Sequence, residues 1–150
     1  MARGFPLEPV RAVLHRKTED AAAAVRGHAQ RLEAARAKFG ELERYLAEYR
    51  AQQQQVMAQG AASHRLREFQ AFLSRIQTAL EAQAAEVARH ESLWESARAF
   101  WAEASRREQA FDVLAERHAD RELRNEIRAE QKLQDEHATR KAARPGEKTS

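Results

Sequence analysis

Apolar residues recur about every 3.5 positions along two long stretches of the chain. The first stretch carries the repeat at Leu14, Thr18, Ala21, Val25, His28, Leu32, Ala35, Phe39, Leu42, Leu46, Tyr49, Gln53 and Val56. The second carries it at Leu66, Phe69, Leu73, Ile76, Leu80, Gln83, Val87, His90, Trp94, Ala97, Trp101 and Ala104. A repeat of this spacing, sustained over many turns, predicts helices that wind around a partner in a left-handed coiled coil.

The two stretches are separated by a short segment that favours a turn. Gly60 can end a helix in a left-handed conformation, and Ser63 can cap the next helix. No proline interrupts the chain between Pro9 and Pro145. We therefore predict one domain over 1–150, with helices at about 7–59 and 63–139, a turn at 60–63 and a disordered basic tail at 140–150.

The two repeats are complementary if the chain folds back about residue 61. We call the repeat positions of the two helices the seam. Each seam residue of the first helix from Thr18 to Val56 then meets a seam residue of the second helix. Large side chains often meet small ones, as Trp101 meets Ala21. This favours an all-α fold, a long two-helix antiparallel coiled-coil hairpin. The second helix is the longer, so it should overhang past about Ala115, where no partner from the first helix remains to cover it.

Composition limits the classes of function. Charged residues make up 33% and aromatic residues 7% of the 150 residues, as in coiled coils, and there is no cysteine. No apolar run approaches a membrane span, so cytoplasmic residence is the default expectation. A basic coiled coil that binds nucleic acid or ribosomes is one alternative. It would need a continuous Lys/Arg stripe, whereas the arginines here alternate with glutamates.

Catalytic and metal-binding sites are not expected. His90-Glu91 begins like a zinc-protease motif, but Trp94 stands where the second histidine would be needed. His28 and His90 lie on the seam, where polar residues can fix register. A two-stranded coiled coil also offers no concave pocket. We predict no enzyme activity, no cofactor, no metal and no small-molecule substrate.

One edge of the hairpin is unusually apolar. The positions that flank the seam on this edge carry Tyr45, Phe72, Ala79, Leu93 and Phe100. The same positions on the opposite edge carry Arg36, Glu43, Arg50, Gln70, Gln77, Glu91 and Arg98. The aromatic edge either widens the core or forms an exposed patch for a partner protein.

The sequence resembles the FliJ family, the small coiled-coil component of the bacterial flagellar type III export apparatus, over nearly its whole length. The resemblance is carried by Phe5-Pro6-Leu7, Leu32-Glu33-Ala34-Ala35-Arg36, Leu42 to Tyr45, Tyr49-Arg50 and Leu66-Arg67-Glu68-Phe69-Gln70-Ala71-Phe72-Leu73. The resemblance implies an antiparallel coiled coil similar to the gamma stalk of rotary ATPases. It also implies a non-enzymatic stalk that docks on the export ATPase hexamer, the cytosolic domain of the export gate and export chaperones.

The resemblance further implies two binding regions. The gate would bind Leu42, Tyr45, Tyr49, Phe72, Ile76 and Ala79. The ATPase ring would bind Phe5, Leu7, Arg11, Val113, Leu114, Leu123 and Ile127. Such a protein would act in flagellum biogenesis and motility, at the cytoplasmic face of the inner membrane, with only indirect membrane contact and no nucleic-acid partner. The equivalent stalk of a virulence type III secretion system is the close alternative.

Overall fold

The chain forms two long helices that pair as an antiparallel hairpin, as the sequence predicts. A computed structural model describes residues 3–143, and in this range the helices are α1, Glu8–Ala58, and α2, Ser63–Ala142. Helix α2 therefore continues three residues beyond its predicted end at Thr139, through the beginning of the segment predicted as a tail. Positions 144–150 of that segment lie outside the described residues.

The turn depends on one glycine. Gly60 has a φ of 77°, a left-handed conformation that residues with a Cβ rarely adopt, and its N–H donates to the Met57 carbonyl at 3.1 Å. The first acceptor of α2 is Ala62, whose carbonyl receives the N–H groups of Arg65 and Leu66. Ala62 thus occupies the capping position that we expected for Ser63, which is instead the first residue of the helix.

The described residues divide into two compact units, each with parts of both helices. The hairpin unit comprises Glu19–Glu103 and includes the turn. The terminal unit comprises residues 3–18 and 104–143.

The core of the hairpin unit is narrow and follows the predicted seam. The buried residues of this unit are Ala21, Leu32, Ala35, Ile76 and Gln83, all of which are seam positions. Side chains that meet across this unit have residue numbers that sum to between 117 and 127, which agrees with a fold about residue 61. Trp101 departs from expectation, because 41% of its surface stays exposed despite its seam position.

In the terminal unit, the start of the chain packs along α2. Arg11 Nε donates to Asp112 Oδ1 at 2.7 Å, and the rings of Phe5 and His118 lie 5.7 Å apart. The Arg3 N–H reaches the Glu122 carboxylate at 3.3 Å. The start of the chain therefore packs on α2 as far as about Glu122, beyond the predicted limit at about Ala115. The reason is that the residues before α1 continue along α2.

Beyond Glu122, α2 is uncovered. Every described residue from 123 to 143 is exposed. We call residues 123–143 the overhang. A helix without a packed apolar face derives little stability from tertiary contacts, so this segment is the least stabilised part of α2.

Candidate docking surfaces

The aromatic residues near the turn form one cluster that is partly core and partly surface. The Tyr49 ring lies 4.5 Å from Phe72 and 5.0 Å from Phe69, and these three side chains are half-buried. Tyr45 meets Phe72 in an edge-to-face contact at 6.0 Å but keeps 48% of its surface exposed. The two interpretations of the aromatic edge thus each apply to part of it, because Phe72 packs on the seam residue Tyr49 and widens the core whereas Tyr45 faces solvent.

The residues predicted to bind the gate do not all reach the surface. Leu42 is half-buried and Ala79 is exposed. Ile76 is only 5% exposed, so in this conformation it supports the patch from below and offers no surface to a partner. We use the name gate patch for the remaining predicted residues, which are Leu42, Tyr45, Tyr49, Phe72 and Ala79.

The opposite edge of the hairpin unit is closed by charged side chains. Arg36 donates to Glu91 at 2.8 Å across the two helices. The Arg98 guanidinium stacks over the Trp94 ring at 4.7 Å from the ring centroid, in a cation–π contact. These contacts cover the apolar seam on this edge, whereas Tyr45 keeps 48% of its surface exposed.

The seam histidines lie beside charged side chains of their own helices. His28 Nδ1 lies 3.2 Å from Arg31, and His90 Nε2 lies 3.6 Å from a Glu86 carboxylate oxygen. A hydrogen bond from Arg89 holds the pKa of Glu86 below its usual value. Within residues 3–143 no group of three or more His, Asp or Glu side chains could hold a metal ion.

The residues predicted to bind the ATPase all lie in the terminal unit. Phe5 and Arg11 are half-buried, and the hydrogen bond to Asp112 raises the pKa of the Arg11 guanidinium above its ordinary value. The large aliphatic residues of this set are exposed, namely Leu7, Val113, Leu114, Leu123 and Ile127. Phe5 and Leu123 also line an open cleft of about 390 Å³.

Sequence reasoning did not identify several residues that build the terminal unit. The Asp112 carboxylate accepts a hydrogen bond from Arg11 at 2.7 Å. His118 Nε2 lies 2.9 Å from the backbone carbonyl oxygen of Arg3. His15 Nδ1 and Glu108 Oε1 are 2.6 Å apart. The apolar repeat gives no signal for these contacts, because they are made by polar side chains. Glu108 and His118 continue the spacing of the seam beyond Ala104 but not its apolar pattern.

The fold and the surface define a two-helix coiled-coil protein whose exposed apolar side chains suit protein–protein docking. No described helix has an apolar stretch that could cross a membrane. The model of the family described as "Flagellar FliJ protein" matches residues 3–147, so the chain belongs to the FliJ family. This membership makes it a coiled-coil, stalk-type component of type III protein secretion.

A solved structure has the same fold. It is that of a protein from Chlamydia trachomatis described as a YscO homolog, with a TM-score of 0.61 and 19% sequence identity. The match covers 98% of this chain and 99% of that chain, and at this identity it shows the fold alone. Comparison with curated proteins gives no match.

Proposed function

We propose that this protein is a non-enzymatic stalk and coupling subunit of the flagellar type III export apparatus. It docks on the cytosolic domain of the export gate through the gate patch and on the export ATPase ring through the terminal unit. It also binds export chaperones, and through the gate it works at the cytoplasmic face of the inner membrane. The single observation that carries the proposal is the family match over residues 3–147.

The exposure of the gate patch supports its role. Tyr45 is a large aromatic residue that is held against Phe72 and still faces solvent. Aromatic side chains that are positioned by their neighbours lose little conformational freedom on binding and often act as anchors of an interface. The half-buried residues around Tyr45 hold its side chain in position.

The overhang supports the second docking region. Leu123 and Ile127 are one helical turn apart and exposed, in a segment whose described residues are all exposed. An uncovered helix of this kind is expected to gain stability when a partner buries its apolar side chains. The ATPase ring is the partner that we propose for it.

The stalk of a virulence type III secretion system is the second candidate. The fold that this chain shares with the YscO homolog favours it. We prefer the flagellar role because the matching family is described by its flagellar member. Deletion of the gene separates the two, because loss of motility supports the flagellar role and loss of effector secretion with normal motility supports the other.

Titration of purified variants against each partner tests the two-surface proposal. We expect Tyr45→Ala with Phe72→Ala to weaken binding to the gate domain by roughly thirtyfold while ATPase binding stays unchanged, since interface anchors often contribute about 2 kcal/mol. Leu123→Ala with Ile127→Ala should do the reverse. Arg50→Ala with Gln77→Ala, on the opposite edge, is the matched control and should affect neither.

Two results would contradict the proposal. If the Tyr45 and Phe72 changes weaken both partners equally, the chain has no separate gate surface. If neither purified partner binds the wild-type chain, the stalk function itself is wrong. Circular dichroism of each variant checks that the helices remain.

A further inference from the structure

The apolar edge of the hairpin unit does not end at the gate patch. Tyr45 and Phe72 contact each other on this edge, and residues that follow at steps of seven occupy the same edge of their helices. These steps place Ala79, Glu86, Leu93 and Phe100 on the edge of α2, and Lys38, Arg31 and Ala24 on the edge of α1. The electrostatic interaction of Lys38 with Glu86 agrees with this placement.

A second apolar surface lies on this edge, two helical repeats from Ala79. Phe100 is 67% exposed and Leu93 is 38% exposed. The adjacent Trp101 is also exposed over much of its surface. At about 1.5 Å per residue, Leu93 lies about 21 Å along α2 from Ala79, which is too far for both to belong to one small contact.

The pattern of α2 in this region is that of a helix with two packing neighbours. A helix in a two-stranded coiled coil needs apolar residues only on its seam, whereas a helix within a bundle is apolar on the seam and on one flanking edge. Leu93 and Phe100 supply that flanking edge, and α1 supplies only one neighbour. This pattern favours a second helical neighbour along the edge.

The edge also contains an open groove in line with Leu93. This groove has a volume of about 460 Å³ and is bordered by Arg31 and Lys38 of α1 and by Glu86 and His90 of α2. The Glu86 carboxylate already forms an ion pair with Arg89 at 3.0 Å. The positive charges of Arg31 and Lys38 on the α1 side therefore exceed the negative charge that remains in the groove. The groove favours a negatively charged occupant.

We propose that Leu93 and Phe100, together with the groove beside Arg31 and Lys38, bind an amphipathic helix of a partner protein with acidic flanks. Its apolar residues, two turns apart, cover Leu93 and Phe100. Its carboxylates meet Arg31 and Lys38. Leu93 and Phe100 lie outside the gate patch, and the site is defined by the chemistry of its occupant and not by which protein binds there.

A second copy of the chain fits the surface less well. Pairing of identical edges would bring Arg31 and Lys38 of both copies into one interface, with Glu86 as the single acid on each edge of the hairpin unit. Like charges close together oppose such a contact. Charge complementarity therefore selects an acidic helix and not this chain itself.

The experiment uses the full chain and two labelled peptides of about 28 residues, or roughly eight turns. Both peptides carry leucine at the seam positions of a heptad repeat. One has glutamate at the flanking positions and the other has lysine. We expect fluorescence anisotropy to detect binding of the glutamate peptide and much weaker binding of the lysine peptide.

Two double variants locate the binding. Leu93→Ser with Phe100→Ser should weaken binding of the glutamate peptide by roughly thirtyfold, as expected for removal of interface anchors worth about 2 kcal/mol. Arg31→Glu with Lys38→Glu should reverse the preference, so that the lysine peptide binds better. Leu133→Ser removes an exposed leucine of the overhang and should leave binding unchanged. These exposed residues can be changed without loss of the helices, which circular dichroism verifies.

Three outcomes would overturn the proposal. The first is equal binding of both peptides, which would mean that charge does not select the occupant. The second is unchanged binding by the Leu93 and Phe100 variant. The third is a concentration-dependent dimer of the wild-type chain in sedimentation velocity that the same variant abolishes, which would make a second copy the occupant.

Discussion

Gln83 donates a hydrogen bond from Nε2 to the backbone carbonyl oxygen of Ala35 across the hairpin, at 3.0 Å. Gln83 is the buried polar residue among otherwise apolar buried positions of the described seam. The contact forms only when these two residues are level with each other. It therefore favours one register of the two helices, at some cost in stability relative to an apolar side chain.

Replacement of Gln83 tests this role. We expect Gln83→Leu to unfold at the same or a higher temperature than the wild type, because an apolar side chain fills the same space without desolvation of an amide. Gln83→Ala should lower the free energy of unfolding, because it leaves a cavity. Thermal unfolding followed by circular dichroism measures both. A leucine variant less stable than the alanine variant would show that the hydrogen bond, and not the volume, stabilises this layer.

The exposures of Ile76 and Trp101 predict which of two alanine substitutions costs more stability. Side-chain size alone would make Trp101→Ala the more costly change, whereas burial makes it Ile76→Ala. Ile76→Ala should cost about 2–5 kcal/mol, because Ile76 is almost fully buried. Trp101→Ala should cost less, because the indole is partly in solvent already. Urea unfolding of the two variants gives the free energies, and a larger loss for Trp101 would contradict the exposure described here.

The contact between His15 and Glu108 predicts a dependence of stability on acid. Hydrogen bonds from His15 and then from Thr18 hold the pKa of Glu108 below its ordinary value of 4.5. Glu108 therefore stabilises the fold above its unfolded-state pKa, and this contribution is lost as the pH falls through the lowered folded-state pKa. The free energy of unfolding, measured between roughly pH 5 and pH 3, should decline more steeply for the wild type than for Glu108→Gln.

Glu116→Gln provides the control for that measurement, since Glu116 is an exposed carboxyl on the same helix. This variant should keep the steep decline of the wild type. If Glu108→Gln and Glu116→Gln show the same slope, the His15–Glu108 contact does not contribute to the acid dependence.

Hydrogen exchange should distinguish the overhang from the rest of α2. Backbone amides of residues 124–142 should exchange faster than those of residues 104–122, because α1 and the residues before it cover the latter segment only. Mass spectrometry of exchanged peptides from the free protein checks the boundary. Equal protection on both sides of Glu122 would mean that the overhang is stabilised by something other than α1.

The sequence by itself determined the two helices, their antiparallel pairing and the place of the turn. The reason is that a repeat of about 3.5 residues identifies the buried face of each helix, and two such faces in one chain fix their register. Gly60 marked the turn because glycine readily adopts left-handed conformations that other residues rarely adopt. In the structure its φ is 77°. The family could also be recognised from the sequence, through residues such as Tyr45 and Phe72 on either side of that turn.

Only the tertiary structure decided how deeply each side chain is covered. Trp101 lies on the seam but opposite the alanines that begin at Ala21, and their methyl groups are too small to cover an indole. Tyr45 and Tyr49 are one turn apart, yet only Tyr49 has aromatic rings on two sides. A heptad repeat specifies the direction of a side chain, whereas its exposure depends on the size and position of the neighbours that the fold brings to it.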